Sequence, residues 1–226
     1  MNNFLFIAKA IFKRGPRFLW VYFWDAIWFD IINGTHTHMR VPKEELSNAT
    51  QVKKEGLLYV ASFTSVITKT LQLVRQDLGE DEFSNCQFVD LGCGKGKTML
   101  VYGKLFGGNA KAQPVGIEYE DSLCRIATAN INKCLGQNSG VRVYCDSAQN
   151  LRLYIRSSSL LVYLYNSFQG ETLREVLSEL SKYPHSLIYV DPVERDYLEA
   201  NGYVVIGSRK GHYNADTWVI YRYNIK

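Results

Sequence analysis

Three acids and one amide stand where short apolar runs end: Asp90, Glu118, Asp146 and Asn166. A carboxylate in such a place can accept hydrogen bonds from both hydroxyls of a ribose. Asp90 opens the stretch Asp90-Leu-Gly-Cys-Gly-Lys-Gly-Lys-Thr98, in which Gly92, Gly94 and Gly96 let the backbone turn tightly and approach a ligand without a Cβ in the way. Spacing excludes two readings of this turn. The dinucleotide fingerprint G-x-G-x-x-G, begun at Gly92, needs its third glycine at Lys97. The P-loop G-x-x-x-x-G-K-[ST], ended at Gly96-Lys97-Thr98, needs its first glycine at Leu91. What remains is D-x-G-x-G-x-G.

The elements that must position these groups are legible. Gln87 to Leu91 reads as a buried strand and Thr98 to Phe106 as the helix after the turn. Pro114 to Glu118, Val141 to Asp146, Leu160 to Asn166 and Ser186 to Val190 read as further strands. Tyr203 to Ile206 and Thr217 to Tyr223 read as a closing pair. Helical spacing marks Asp121 to Leu135, Glu171 to Tyr183 and a short stretch from Val193 to Ala200. A long helix is expected over Glu55 to Leu78, carried by Leu57, Leu58, Val60 and Ala61 and then Val66, Ile67, Leu71 and Val74. Alternating strands and helices predict a doubly wound, mainly parallel α/β sheet covered on both faces. In such sheets ligands sit at the carboxyl ends of the strands, so the four polar strand ends should converge on one crevice. Tyr119, next to Glu118, can pack against an adenine face. Each strand-end acid taken alone is more often a helix N-cap or a solvated loop residue; the ordered series is more specific.

The ordered series resembles the class I (Rossmann-like) S-adenosylmethionine-dependent methyltransferases, motifs I to IV, over roughly 80 residues. The resemblance implies a seven-stranded sheet with a C-terminal antiparallel pair, and S-adenosylmethionine (SAM) as cofactor. It assigns cofactor contacts to Asp90, Gly92, Cys93, Gly94 and Gly96, to Glu118 and Tyr119, and to Asp146 and Ser147, the acid of the third strand facing the adenine amino group. Asn166-Ser167-Phe168 keeps the polar and aromatic ends of the [DNS]-P-P-[FYW] motif of amino-group methyltransferases, which makes Asn166 the candidate catalytic residue. It lacks the two prolines and is one residue shorter, which speaks against nucleic-acid base methylation. It is more loosely similar to the Asn-Pro-Phe variant of small bacterial methyltransferases and to the Asn-rich motif of Rossmann-like histone-lysine methyltransferases. The implied reaction is methyl transfer to a nitrogen or oxygen nucleophile of a small molecule or protein. Two alternatives stay open: a SAM-binding module without turnover, and a nucleotide-dependent α/β enzyme of another kind.

The chain of 226 residues, 46% apolar and with net charge +4, suits one α/β domain (55–226) preceded by an extension (1–54). Basic residues are spread rather than clustered outside the N-terminus, so a nucleic-acid partner is not expected. The five cysteines form no C-x-x-C pair and no zinc-ligand spacing, so free thiols in a reducing cytoplasm are expected and no metal is assigned. His36 and His38 would share a face in an extended segment, yet without a third ligand they read as loop residues. Residues 1 to 32 are rich in Phe and Trp, with Lys9, Lys13, Arg14 and Arg17 interleaved and no acid before Asp25. Their charge-free runs are too short to span a bilayer. Three readings fit: a helix packed on the domain, a cap over the active site in which Thr35 and Arg40 meet cofactor or substrate, or an interfacial segment in peripheral contact with the inner membrane surface.

Overall fold

The structure is a computed structural model that describes residues 15–38, 59–107 and 110–225. Seven strands form one sheet: β1 (Gln87–Leu91), β2 (Val115–Glu118), β3 (Arg142–Cys145), β4 (Leu160–Tyr165), β5 (His185–Val190), β6 (Val204–Arg209) and β7 (Trp218–Tyr223). Their order across the sheet is β3-β2-β1-β4-β5-β7-β6. The first five are mutually parallel, and β7 runs antiparallel to both β5 and β6. Every expected strand is present, with ends shifted by no more than a few residues.

Side-chain alternation sorts the strands onto two cores. Phe88, Leu161, Tyr163 and Ile188 point to one face, Val89, Val162, Leu164 and Leu187 to the other. The helices, in chain order, are α1 (Pro16–Tyr22), α2 (Trp28–Asn33), α3 (Thr64–Leu78), α4 (Glu80–Asn85), α5 (Lys97–Phe106), α6 (Asp121–Leu135), α7 (Gly170–Leu180) and α8 (Arg195–Ala200). Val66, Ile67, Leu71 and Val74 of α3 and Met99 and Leu100 of α5 cover the first face. Leu173, Val176, Leu177 and Leu180 of α7 cover the second. Burial of this apolar surface on both sides is what makes strands β1, β4 and β5 continuous hydrophobic runs rather than alternating ones.

One expectation changes. The long helix starts at Thr64, and Tyr59 to Phe63 are not helical; the expected first turns, 55–58, lie outside the described residues, as does the expected domain boundary at 54/55. Phe63 is extended (φ −69°, ψ 135°), and the segment before it lays Tyr59 across the glycine turn, a long-range contact that local periodicity does not register. As expected of the extension, its described part is helical: α1, a π-helical turn (Phe23–Ile27) and α2 follow one another without a break as a rod. Asn33-Gly34 ends it, with Gly34 left-handed at φ 61°.

Candidate active site at the strand ends

The glycine turn depends on three left-handed residues, Gly92 (φ 74°), Gly94 (φ 54°) and Gly96 (φ 81°). The turn is also crowded. A Cβ on Gly92 would lie 2.3 Å from Ser167 Oγ, and one on Gly94 2.2 Å from the Tyr59 ring. The turn is tied to β2: the N–H groups of Gly92 and Cys93 donate to the Ile117 carbonyl (2.8 and 3.1 Å). The Gly94 N–H donates to Glu118 Oε2 (2.8 Å), while Glu118 Oε1 accepts from the Glu120 N–H (2.9 Å). Burial raises the Glu118 carboxyl above its ordinary range, against the pull of the Glu120, Gly94 and Tyr119 N–H groups.

Asp90 lies behind it, 3% exposed. Burial and then the nearby Glu118 charge push its carboxyl well above the usual range, and the Thr98 hydroxyl offsets this only in part. Its Oδ2 has no hydrogen-bond partner among the described residues. The two lysines of the turn are bonded to the N-terminal segment. Lys95 Nζ donates to the His36 carbonyl (3.1 Å), and Lys97 Nζ donates to the Asp25 carbonyl (2.5 Å) and lies over the Phe29 ring. Burial brings the Lys97 ammonium down to about 8, opposed by the Asp30 and Asp25 charges.

The N-terminal segment is therefore fastened to the turn, and its own centre is Asp30. Thr35 (2.5 Å) and Thr37 (2.8 Å) donate hydroxyls to Asp30 Oδ1; the His38 N–H (2.8 Å) and His38 Nδ1 (2.5 Å) meet Oδ2. Burial alone would raise this carboxyl, but the hydrogen bonds from His38, Thr35 and Thr37 outweigh it and hold the group well below the usual carboxylate range. The Tyr59 hydroxyl closes the arrangement by donating to the Thr37 carbonyl (2.6 Å). Thr35, expected to face cofactor or substrate, is spent on Asp30; Arg40 lies outside the described residues. His38 pairs with Asp30 while His36 is exposed, so the two do not act together. Among the described residues no group of three His, Cys, Asp or Glu side chains could hold a metal.

The remaining candidates divide. The Cys93 thiol is buried against β2, where a Cβ on Gly116 would come within 2.9 Å of its sulfur, so only its backbone borders the turn. Asp146 caps the turn after β3: Oδ1 accepts from the Ser147 N–H (2.7 Å) and Asn150 Nδ2 (2.9 Å), Oδ2 from the Tyr154 hydroxyl (2.6 Å). Ser147 donates to Gln149 Oε1 (2.7 Å). Tyr119, beside Glu118, is 36% exposed.

Asn166 is buried at the end of β4, and its neighbour Ser167 packs on Gly92, so strand end and glycine turn touch. Its amide is held at both ends: Nδ2 donates to Asp191 Oδ2 (3.0 Å), and Oδ1 accepts from Gln169 Nε2 (3.0 Å). Asp191, at the end of β5, also accepts from Asn214 Nδ2 (3.3 Å). Among the described residues Asn166 (φ 36°) and Asp191 (φ 52°) are the non-glycine residues with positive φ. Backbone strain of this kind, about 1–3 kcal/mol per residue, collects at functional sites. Asp191 and Gln169 were missed in the sequence. The available signal was an Asx residue directly after each of two adjacent central strands, since Asn and Asp tolerate left-handed backbone better than other side chains.

No family model and no curated protein matches the sequence. Solved structures do. An rRNA methylase from Streptococcus thermophilus superposes with a TM-score of 0.50 at 12% identity, covering 71% of this chain and 96% of its own. The magnesium protoporphyrin IX methyltransferase from Synechocystis PCC 6803, solved with bound SAM, does so with a TM-score of 0.50 at 14% identity over 90% of this chain and 94% of its own. The chain has the class I SAM-dependent methyltransferase fold. A point mutant of MtNAS in complex with SAM shares this methyltransferase fold at a TM-score of 0.50 and 14% identity, matched over 72% of this chain and 63% of its own. Proteins of the methyltransferase fold named for rRNA and for a magnesium porphyrin stand side by side here. The fold therefore does not select the acceptor, and the expectation against nucleic acid gains no support from it.

Proposed function

We propose that the protein is a SAM-dependent methyltransferase acting on a nitrogen or oxygen nucleophile of a small molecule or protein. The observation that carries this reading is the acid pair of buried Asp90 and half-buried Glu118 beside a glycine turn, with Asp90 Oδ2 lacking a hydrogen-bond partner among the described residues and both turn lysines bonded to the N-terminal segment. Such a place favours a ligand that brings positive charge and hydroxyl donors, and SAM carries a sulfonium, an ammonium and a ribose. When bound, SAM supplies a methyl group already activated on sulfur, so the protein's task is alignment and proton removal. Glu118 would take the ribose hydroxyls, and the backbone of Gly92, Cys93, Gly94 and Gly96 would border the cofactor. Tyr119, Asp146 and Ser147 would meet its adenine end. Asn166 would face the acceptor, with Asp191 and Gln169 as positioning residues that fix its amide from both ends.

Calorimetric titration with SAM, S-adenosylhomocysteine, NAD and ATP tests the cofactor. Micromolar binding of the first two alone is expected; binding of NAD or ATP instead would overturn the reading. Asn166→Ala should leave SAM affinity unchanged and cut incorporation of tritiated methyl groups into a cell extract by about 100-fold, the scale for losing one aligned polar group. Incorporation equal to wild type would remove Asn166 from the site.

A further inference from the structure

We propose that the outward face of the helical rod 16–33 is a docking surface for an anionic lipid bilayer. The rod is two-sided. Phe18, Ala26, Phe29, Asp30 and Asn33 are buried against the domain. Asp25 fixes the rod to α3, its carbonyl accepting from the Thr64 hydroxyl (2.9 Å) and its carboxylate from the Ser65 N–H (2.6 Å). The inner face is thus fully accounted for, and the outer face is not core that failed to pack.

That outer face is apolar and aromatic. Trp20, Trp24 and Trp28, spaced four apart, form one stripe whose rings touch edge to face at 5.6 and 5.4 Å. They are 68%, 44% and 40% exposed, and Ile31 and Ile32 extend the stripe. A groove of about 360 Å³ runs beside it, lined by Leu19, Trp20, Tyr22, Phe23 and Ile27. An exposed apolar surface of this extent on a small domain marks a contact site.

Charge selects the occupant. The sequence leading into the rod carries Lys9, Lys13, Arg14 and Arg17 among Phe4, Phe6 and Phe12, with no acid until Asp25. Indoles favour the headgroup boundary, and basic residues favour anionic lipid. No helix among the described residues is long and apolar enough to cross a membrane, so the rod lies in the interface plane.

The test uses the full chain and sedimentation with phosphatidylglycerol–phosphatidylcholine vesicles against pure phosphatidylcholine. The wild type should partition at least tenfold more strongly onto the anionic vesicles, with a blue shift of tryptophan emission. Trp20→Ser, Trp24→Ser and Trp28→Ser together should abolish both. Trp20→Ser alone, at the most exposed position, should weaken partitioning severalfold and serves if the triple variant does not fold. A wild type that ignores anionic vesicles, or tryptophan variants that bind as well as it does, overturns the proposal. So does a wild-type dimer that the substitutions dissociate while vesicle binding is absent, because the face would then pair with its own copy. Neither result touches the cofactor reading.

Discussion

Asp30→Ala is expected to destabilise the fold by about 3 kcal/mol, read from urea or thermal unfolding. One carboxylate here satisfies two threonine hydroxyls, a backbone N–H and a histidine ring nitrogen, and its removal strands all four in a largely buried setting. The loss spreads outward. Thr37 presents the carbonyl that receives Tyr59, and Tyr59 lies on Gly94, so the glycine turn should loosen as well. The effect has a pH signature. Asp30 is held below its ordinary range in the folded state, so its contribution is complete above the unfolded carboxylate value, about 3.9, and fades as pH falls through the lower folded value. The stability gap between wild type and Asp30→Asn should therefore stay constant from pH 7 to about 5 and shrink below about 4. A gap that is constant to pH 2 would show that the ionised carboxylate is not what holds the segment.

Glu118→Gln should act in opposite directions on stability and on ligand binding. Burial disfavours the ionised form of this half-buried group, and its charge in turn disfavours ionisation of Asp90. Replacing it by a neutral isostere removes that repulsion and should raise the thermal midpoint. The same change removes the carboxylate that the proposed function assigns to the ribose hydroxyls, so SAM affinity should fall 10- to 100-fold, or about 1–3 kcal/mol. Sites that bind charged ligands commonly carry such a cost in the unliganded fold. Calorimetry and a melting curve on the same preparation suffice. Unchanged SAM binding would withdraw Glu118 from the cofactor site; a lower midpoint would mean that its bonds to the Gly94 and Glu120 N–H groups outweigh the charge repulsion.

The parts of this molecule legible in the sequence are those set by local rules. Runs ending in Asp90, Glu118, Asp146 and Asn166 became β1 to β4: central β1 and β4 are buried along nearly their whole length, while β3, at the sheet edge, is half-exposed and was legible from its β-branched and aromatic residues. Asp121–Leu135 appears with the expected ends, since an apolar helical face is bounded by an acidic start and a glycine stop. The misses are all long-range. Val60 and Ala61 continued a helical pattern into Val66 and Ile67, yet the chain stays extended there to carry Tyr59 over Gly94. Asp30 sat unnoticed before Asn33-Gly34, because its partners at Thr35, Thr37 and His38 return to it only after the helix has ended. Asp191 was passed over because its partner, the amide of Asn166, lies one strand away, and the Asx type at both strand ends only hints at the positive φ the two residues share.

The place of β7 has a consequence for how the protein comes into being. Of these three strands β7 is the last in chain order, yet it lies between β5 and β6, both made earlier. As the chain leaves the ribosome, β5 has no neighbour on one side and β6 has none at all until Trp218 to Tyr223 have emerged. This half of the sheet is thus completed by a single late insertion, which gives β5 its second neighbour and β6 its first. Until that moment the nascent chain exposes the kind of unpaired strand that recruits other chains. Interrupted synthesis would yield material for chaperones and proteases rather than a shorter version of the same domain.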